Sequence, residues 1–169
     1  MSEKIRILLA DDHPILTSGL NLLIREWEEF EIVGIAADGQ QAVELSRKIC
    51  PDIVMIDMQM PKMSGAEAIR IIKEETPEVH ALALTTFGDA ETAAAAFSAG
   101  CDGYLLKVIE PEKLRSSLIS IAGGLKVFNE DVMKEIEKFL QQPKKQDFSP
   151  RELEILDCIA KGMTNAQIA

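Results

Sequence analysis

Four short apolar runs each end on a polar residue suited to phosphate or metal chemistry. Asp11 and Asp12 follow residues 5–10, Asp57 follows 53–56, Thr85 follows 81–84, and Lys107 follows 103–106. If the runs are parallel strands of one open sheet, their carboxyl ends share an edge, and such sheets bind ligands there. Three carboxylates gathered at that edge repel one another, and a hard divalent cation such as Mg²⁺ relieves the repulsion. Mg²⁺ binds through a few carboxylates plus phosphate oxygens and keeps several waters. An Asp carboxylate can also act as a nucleophile and become an aspartyl phosphate. A Thr hydroxyl and a Lys ammonium at the same rim can then hold the phosphoryl oxygens. Taken singly, each residue has a plainer reading: a helix N-cap, a loop residue, a turn residue, a solvated cation. Their coincidence on one edge favours the joint, chemical one.

The elements that must position these residues are legible from periodicity. A fifth apolar run covers residues 31–36, and none of the five needs to alternate if the sheet is covered on both faces. Between the runs lie helical patterns: Ile15, Gly19, Leu22, Leu23 and Glu26; Ala42, Leu45 and Ile49; Ala68, Ile69 and Ile72; the Ala-rich Ala90–Ala99; and Leu114, Leu118 and Ile121. Pro111 suits a first helical position, and Gly123-Gly124 ends the same helix. The predicted fold is α/β, a (βα)5 doubly wound parallel sheet over about residues 4–122.

The remainder has a different character. Residues 129–141 read as one charged amphipathic helix (Val132, Ile136, Phe139, Leu140) capped by Asn129. Residues 141–146, polar and containing Pro143, read as a linker. Ser149-Pro150-Arg151-Glu152 opens another helix with a capping box, carries Leu153, Leu156 and Ile159 on one face, and stops at Gly162. Thr164 to Gln167 repeats the capping logic, with two residues after it.

Composition excludes several classes. The 169 residues are 47% hydrophobic and 27% charged, the balance of a globular protein. Eighteen Lys+Arg against 28 Asp+Glu leave a net charge of -10, which argues against a general basic footprint for nucleic acid. The acidity is concentrated: residues 1–122 hold 11 Lys+Arg against 20 Asp+Glu, and residues 123–169 hold 7 against 8. Cys50, Cys101 and Cys158 are odd in number and widely spaced, so neither a disulfide framework nor a zinc ribbon is supported. No secretory leader pattern and no apolar stretch of about 18 residues is present, so the expectation is a cytoplasmic protein with no membrane contact. His13 and His80 lack partners at metal-ligand spacing, and His13 reads as a helix-start residue. Met58, Met60 and Met63 read as packing around Asp57.

Leu9-Ala10-Asp11-Asp12-His13, Asp57-Met58-Gln59-Met60-Pro61-Lys62-Met63-Ser64-Gly65, Leu84-Thr85-Thr86-Phe87 and Gly103-Tyr104-Leu105-Leu106-Lys107 resemble, in order and spacing, the receiver domain of two-component response regulators. The resemblance implies a flavodoxin-like sheet of strand order 2-1-3-4-5. It implies Asp57 as phosphoacceptor, Asp11, Asp12 and Asp57 with the Gln59 backbone carbonyl as Mg²⁺ ligands, and Lys107 as the phosphate-pairing cation. Thr85 resembles the switch hydroxyl and Tyr104 the switch aromatic, which would swing inward as Thr85 moves toward the phosphate. Receivers often place proline after the lysine; Val108 stands there. Phe148 to Leu156 and Ala160 to Ala169 resemble the opening of a LuxR-type helix-turn-helix domain, as in NarL/FixJ-type regulators.

The expected organisation is therefore a receiver over residues 1–122, a linker with one helix over 123–147, and the start of a LuxR-type helix-turn-helix over 148–169, ending before the recognition helix that would enter the major groove. The resemblance implies a non-enzymatic regulator that takes its phosphoryl group from a sensor histidine kinase, homodimerises on phosphorylation, and contacts DNA through a complete output domain rather than through this stretch. Two rival readings compete with it. A receiver-like interaction module without DNA output is opposed by residues 149–169. An aspartyl-phosphate phosphohydrolase commonly carries a second Asp two residues after the nucleophile, where Gln59 stands.

Overall fold

Among the described residues eleven elements follow one another in the order expected of a doubly wound protein. They are β1 (Ile5–Ala10), α1 (Pro14–Arg25), β2 (Phe30–Ala36), α2 (Gly39–Ile49), β3 (Ile53–Asp57), α3 (Gly65–Glu75), β4 (His80–Thr85), α4 (Ala90–Ala99), β5 (Gly103–Leu106), α5 (Pro111–Ala122) and α6 (Glu130–Gln141). The computed structural model describes residues 3–86, 89–128 and 130–141. The expected cap Asn129, the linker residues 142–147 and the helix-turn-helix start at 148–169 lie outside the described residues. The five strands form one parallel sheet in the order β2-β1-β3-β4-β5, the order expected. Among the described residues no helix is long and apolar enough to cross a membrane.

Strand side chains alternate between two cores because successive Cβ atoms leave opposite faces of a sheet. Leu8, Ala10, Val54, Ile56, Ala81 and Ala83 meet α2, α3 and α4 on one face. Ile7, Leu9, Ile53, Met55, Leu82 and Leu84 meet α1 and α5 on the other. Both faces are covered, so the strands read as unbroken apolar runs.

Helix ends follow local rules. Pro14 and Pro111 occupy first-turn positions, and Asp38, Ser64 and Asp89 accept hydrogen bonds from the backbone N–H of Gln41, Glu67 and Thr92. Gly100 ends α4 at φ 97°, a left-handed geometry that suits glycine. The helical period of α1 is as expected, but its buried face is not the one that Ile15 and Leu22 mark. Those two are 90% and 68% exposed, while Thr17 and Ile24 are buried.

A polar lock closes the end of the sheet opposite the acidic edge. Asp102 accepts hydrogen bonds from the Ala81 N–H (2.8 Å), Lys73 Nζ (3.1 Å) and Lys126 Nζ (3.2 Å), joining α3, β4 and the segment after α5. Burial would raise the Asp102 carboxyl; the Ala81 N–H and the two lysines outweigh it and hold the group below the usual carboxylate range. A lowered folded value contributes stability above the unfolded value, and that contribution is lost as pH falls through the folded one. Asp102→Ala is expected to lose about 1–3 kcal/mol at pH 7, chiefly by orphaning the buried Ala81 N–H. Urea unfolding should show the gap to the parent chain narrowing below about pH 4.

Candidate functional site

Strand register brings the acidic residues to one level. Ala10 pairs with both Ala36 and Ile56, so Asp11 and Asp57, each one residue further on, emerge side by side. Thr85 pairs with Leu106, which puts Lys107 just beyond it, and the Lys107 N–H donates to the Thr85 carbonyl at 2.8 Å. Asp11, Asp57 and Thr85 are buried at 3%, 2% and 3% exposure, while Asp12 stands further out.

Lys107 folds its ammonium into this cluster. Its Nζ lies 3.0 Å from Asp11 Oδ2 and 3.0 Å from Asp57 Oδ2. Beyond that ammonium, neither oxygen receives a donor from the described residues. Burial alone would lower the Lys107 ammonium, but its contacts with Asp11 and Asp57 outweigh burial and hold it above the ordinary lysine value. Burial pushes the Asp57 carboxyl up, and the Gln59 N–H (3.1 Å to Oδ1) and Lys107 offset only part of this.

The expected metal residues Asp11, Asp12 and Asp57 converge: together with His13 they offer ligand atoms that all lie within 4.8 Å of one another. Buried carboxylate oxygens whose sole close donor among the described residues is the Lys107 ammonium, in an oxygen-rich set, match what a hard divalent cation requires. The residues therefore fit Mg²⁺. Gln59 sits on the loop leaving β3, tied to Asp57 through its N–H.

His13 is more deeply involved than its reading as a helix-start residue allowed. It does flank α1 as its N-cap, but without a side-chain capping bond. Its ring instead turns into the cluster, with Nδ1 2.8 Å from Asp11 Oδ1 and 3.1 Å from Asp12 Oδ1. The only signal in the sequence was its place directly after the Asp pair. Gly65 is a second residue without an assigned role: a Cβ there would lie 2.3 Å from the Asp57 carbonyl oxygen.

Tyr104 is not part of the acidic cluster. Its ring is buried beneath α4 and α6, at 2% exposure. Burial pushes its phenol up, and the phenol oxygen has no hydrogen-bond partner among the described residues. Thr85 closes β4 next to β5, the strand that carries Tyr104.

A profile of the response regulator receiver domain matches residues 7–119. The chain belongs to the response regulator receiver family. It is 34% identical to the nitrate/nitrite response regulator NarL of Escherichia coli, over 99% of this chain and 80% of that protein. A LuxR-family two-component response regulator from an Aurantimonas species matches in three dimensions with TM-score 0.74 and 33% identity, over 82% of this chain and 99% of that one. Salmonella typhimurium RcsB, solved in a study of its DNA interaction, matches with TM-score 0.72 and 26% identity over 99% and 83%. RcsB has also been solved as two dimers bound to two parallel DNAs. The similarity to NarL/LuxR-type regulators thus spans nearly the whole chain and places the receiver in two-component signalling and transcription regulation.

Proposed function

We propose that the protein is a phosphorylation-dependent response regulator in which Asp57 accepts a phosphoryl group from the phosphohistidine of a sensor kinase. The observation that carries this reading is the Lys107 ammonium seated 3.0 Å from both Asp11 and Asp57 at the buried carboxyl edge of the sheet. In the transfer, an Asp57 carboxylate oxygen forms the new P–O bond as the P–N bond to the donor imidazole breaks, and the departing nitrogen takes up a proton. Asp11, Asp12 and Asp57, with the Gln59 backbone carbonyl, would hold Mg²⁺, which when bound supplies neutralisation of the charge on the transferring oxygens. Lys107 moves from pairing with two carboxylates to pairing with phosphoryl oxygens, and the Thr85 hydroxyl donates to another. Raised proton affinity makes the Asp57 carboxylate a stronger nucleophile than a solvated one.

Residues 1–122 act as the receiver, 123–147 as the linker and 148–169 as the beginning of the output domain. Phosphorylation alters homodimerisation in the cytoplasm and, through the complete output domain, DNA binding. The RcsB dimers on DNA support this output for a relative of similar fold.

The test is uptake of one phosphoryl group from acetyl phosphate with Mg²⁺, read by intact mass, with chelator as control. No mass gain under these conditions would overturn the reading. Asp11→Asn is expected to weaken Mg²⁺ binding about tenfold or more in calorimetry, because a hard cation gains most from anionic oxygen. Equal affinity in the variant would remove Asp11 from the ligand set.

A further inference from the structure

His13 stands at the N-cap of α1 but makes no side-chain cap bond, and Pro14 after it favours the extended backbone it adopts, at φ -102° and ψ 102°. Ser, Thr, Asp and Asn are the side chains that cap a helix start, so capping does not account for an imidazole here. The backbone is held by other bonds. The His13 N–H donates to Asp11 Oδ1 at 2.8 Å, and the His13 carbonyl accepts from the Thr17 hydroxyl at 2.9 Å. Anchored in this way, the residue sets its ring against the acidic edge. Nδ1 lies 2.8 Å from Asp11 Oδ1, 3.1 Å from Asp12 Oδ1 and 3.8 Å from Asp57 Oδ2.

These separations have the size of ligand-to-ligand edges. An octahedral ion with bonds of about 2.1 Å sets adjacent ligand atoms about 3.0 Å apart and opposite ones about 4.2 Å apart. The first two separations of Nδ1 match adjacent positions, and the third falls between the two limits. The donor type then distinguishes among ions. Mg²⁺ takes oxygen, whereas imidazole nitrogen suits later first-row ions such as Ni²⁺ and Zn²⁺.

We propose that His13 is a further metal ligand, through Nδ1, and that it tilts the site formed by Asp11, Asp12 and Asp57 toward later first-row divalent ions over Mg²⁺. This rests on those three carboxylates forming the metal site. Ligation uses the neutral ring, with the lone pair on Nδ1 and the one ring proton on Nε2. The Lys107 ammonium, 3.4 Å from Nδ1, has donors only and is compatible with a lone pair there. An ion held in this way occupies the carboxylate oxygens that Mg²⁺ needs. Binding of a nickel- or zinc-class ion therefore excludes Mg²⁺ from the edge that carries Asp57, and the identity of the ion at hand decides whether the acceptor has its Mg²⁺.

Calorimetric titration of the full 169-residue chain with Mg²⁺ and with Ni²⁺, each alone and in competition, tests this. Carboxylates by themselves already bind the later ions, so the informative quantity is the ratio of the two affinities, compared between parent and variant. His13→Ala is expected to lower the Ni²⁺-to-Mg²⁺ ratio about tenfold or more. His13→Asn, which offers an amide oxygen in place of the nitrogen, should lower it as well. The His13 side chain is 61% exposed and caps nothing, so both variants are expected to fold. A side chain that served only as a counter-charge to the carboxylates would move both affinities by one factor. An unchanged ratio therefore overturns the inference and leaves Asp11, Asp12 and Asp57 standing as the ligands. Ni²⁺ that binds without displacing Mg²⁺ overturns it too, because it then sits elsewhere. Failure of the parent chain to bind Mg²⁺ overturns the inference and the metal site together.

Discussion

Asp57→Asn is expected to abolish phosphoryl uptake from a small donor, a loss of at least about a thousandfold, because the amide cannot serve as the nucleophile. Intact mass after incubation with acetyl phosphate and Mg²⁺ reads this directly, and uptake at the parent rate would exclude Asp57 as acceptor. The same variant is expected to be more stable than the parent at pH 7. Burial holds the Asp57 carboxyl above its ordinary value, and Gln59 and Lys107 recover only part of that. The folded state therefore binds the Asp57 proton more tightly than the unfolded state does. Stability from this group is complete below the unfolded value near pH 4 and declines as pH rises through the folded value. The amide introduced by Asp57→Asn carries no charge to bury, so the gain should be present at neutral pH and vanish on acidification. For a chain of this size each kcal/mol moves Tm by roughly 2–4 °C. A melting curve at pH 7 that places the variant below the parent would contradict this account of the site.

Gly65→Ala is the second change with a large expected effect. Gly65 opens α3, its N–H donates to the Met58 carbonyl at 3.1 Å, and the helix start is packed directly onto the end of β3. A Cβ would sit 2.3 Å from the Asp57 carbonyl oxygen and 2.7 Å from Met58 Cα. Both are backbone atoms, so no side chain can swing away, and the loop carrying Asp57 must shift. Overpacking of this kind costs about 1–3 kcal/mol. A displacement of about 1 Å at a reacting group can slow transfer roughly a hundredfold. Gly19→Ala is the control: nothing lies within 4 Å of a Cβ there, and Gly19 is in the middle of α1. Replacing it should stabilise by about 0.5–1 kcal/mol through helix propensity. If Gly65→Ala melts and phosphorylates like Gly19→Ala, the close approach at α3 does not position the acceptor.

The five strands and the acidic edge were legible in the sequence, because they depend on local patterns; the strand order came only with the family resemblance. A fully buried parallel strand reads as an apolar run wherever it lies, and the residue after it reaches the same edge as its neighbours. Hence Asp11, Asp12, Asp57, Thr85 and Lys107 could be grouped before any contact was seen, and the register of Ala10 with Ile56 brings the two central carboxylates together. Helix ends were equally local: Pro111 stands where a missing N–H is harmless.

What depended on direction in space was not legible. The period of α1 is visible, but Ile15 and Leu22 face outward while the polar Thr17 faces in. Periodicity marks a stripe; the packing of α1 on the sheet decides which stripe is buried. His13 belongs by sequence to the start of α1, yet its ring turns back onto Asp11 and Asp12, a rotamer choice set by the charge around it. Lys126, Asp102 and Lys73 lie too far apart in sequence to suggest a lock. The amphipathic pattern of α6 announced a helix in need of a partner, and only the return of residues 125–128 along β5 made that partner α4 and the Tyr104 ring. The sequence by itself determined which residues would meet at the acidic edge, since strand period and strand ends follow from neighbouring residues alone. The tertiary structure decided which side chains lean on those residues and what covers the α4–β5 face, since both arise from contacts between segments that no local pattern connects.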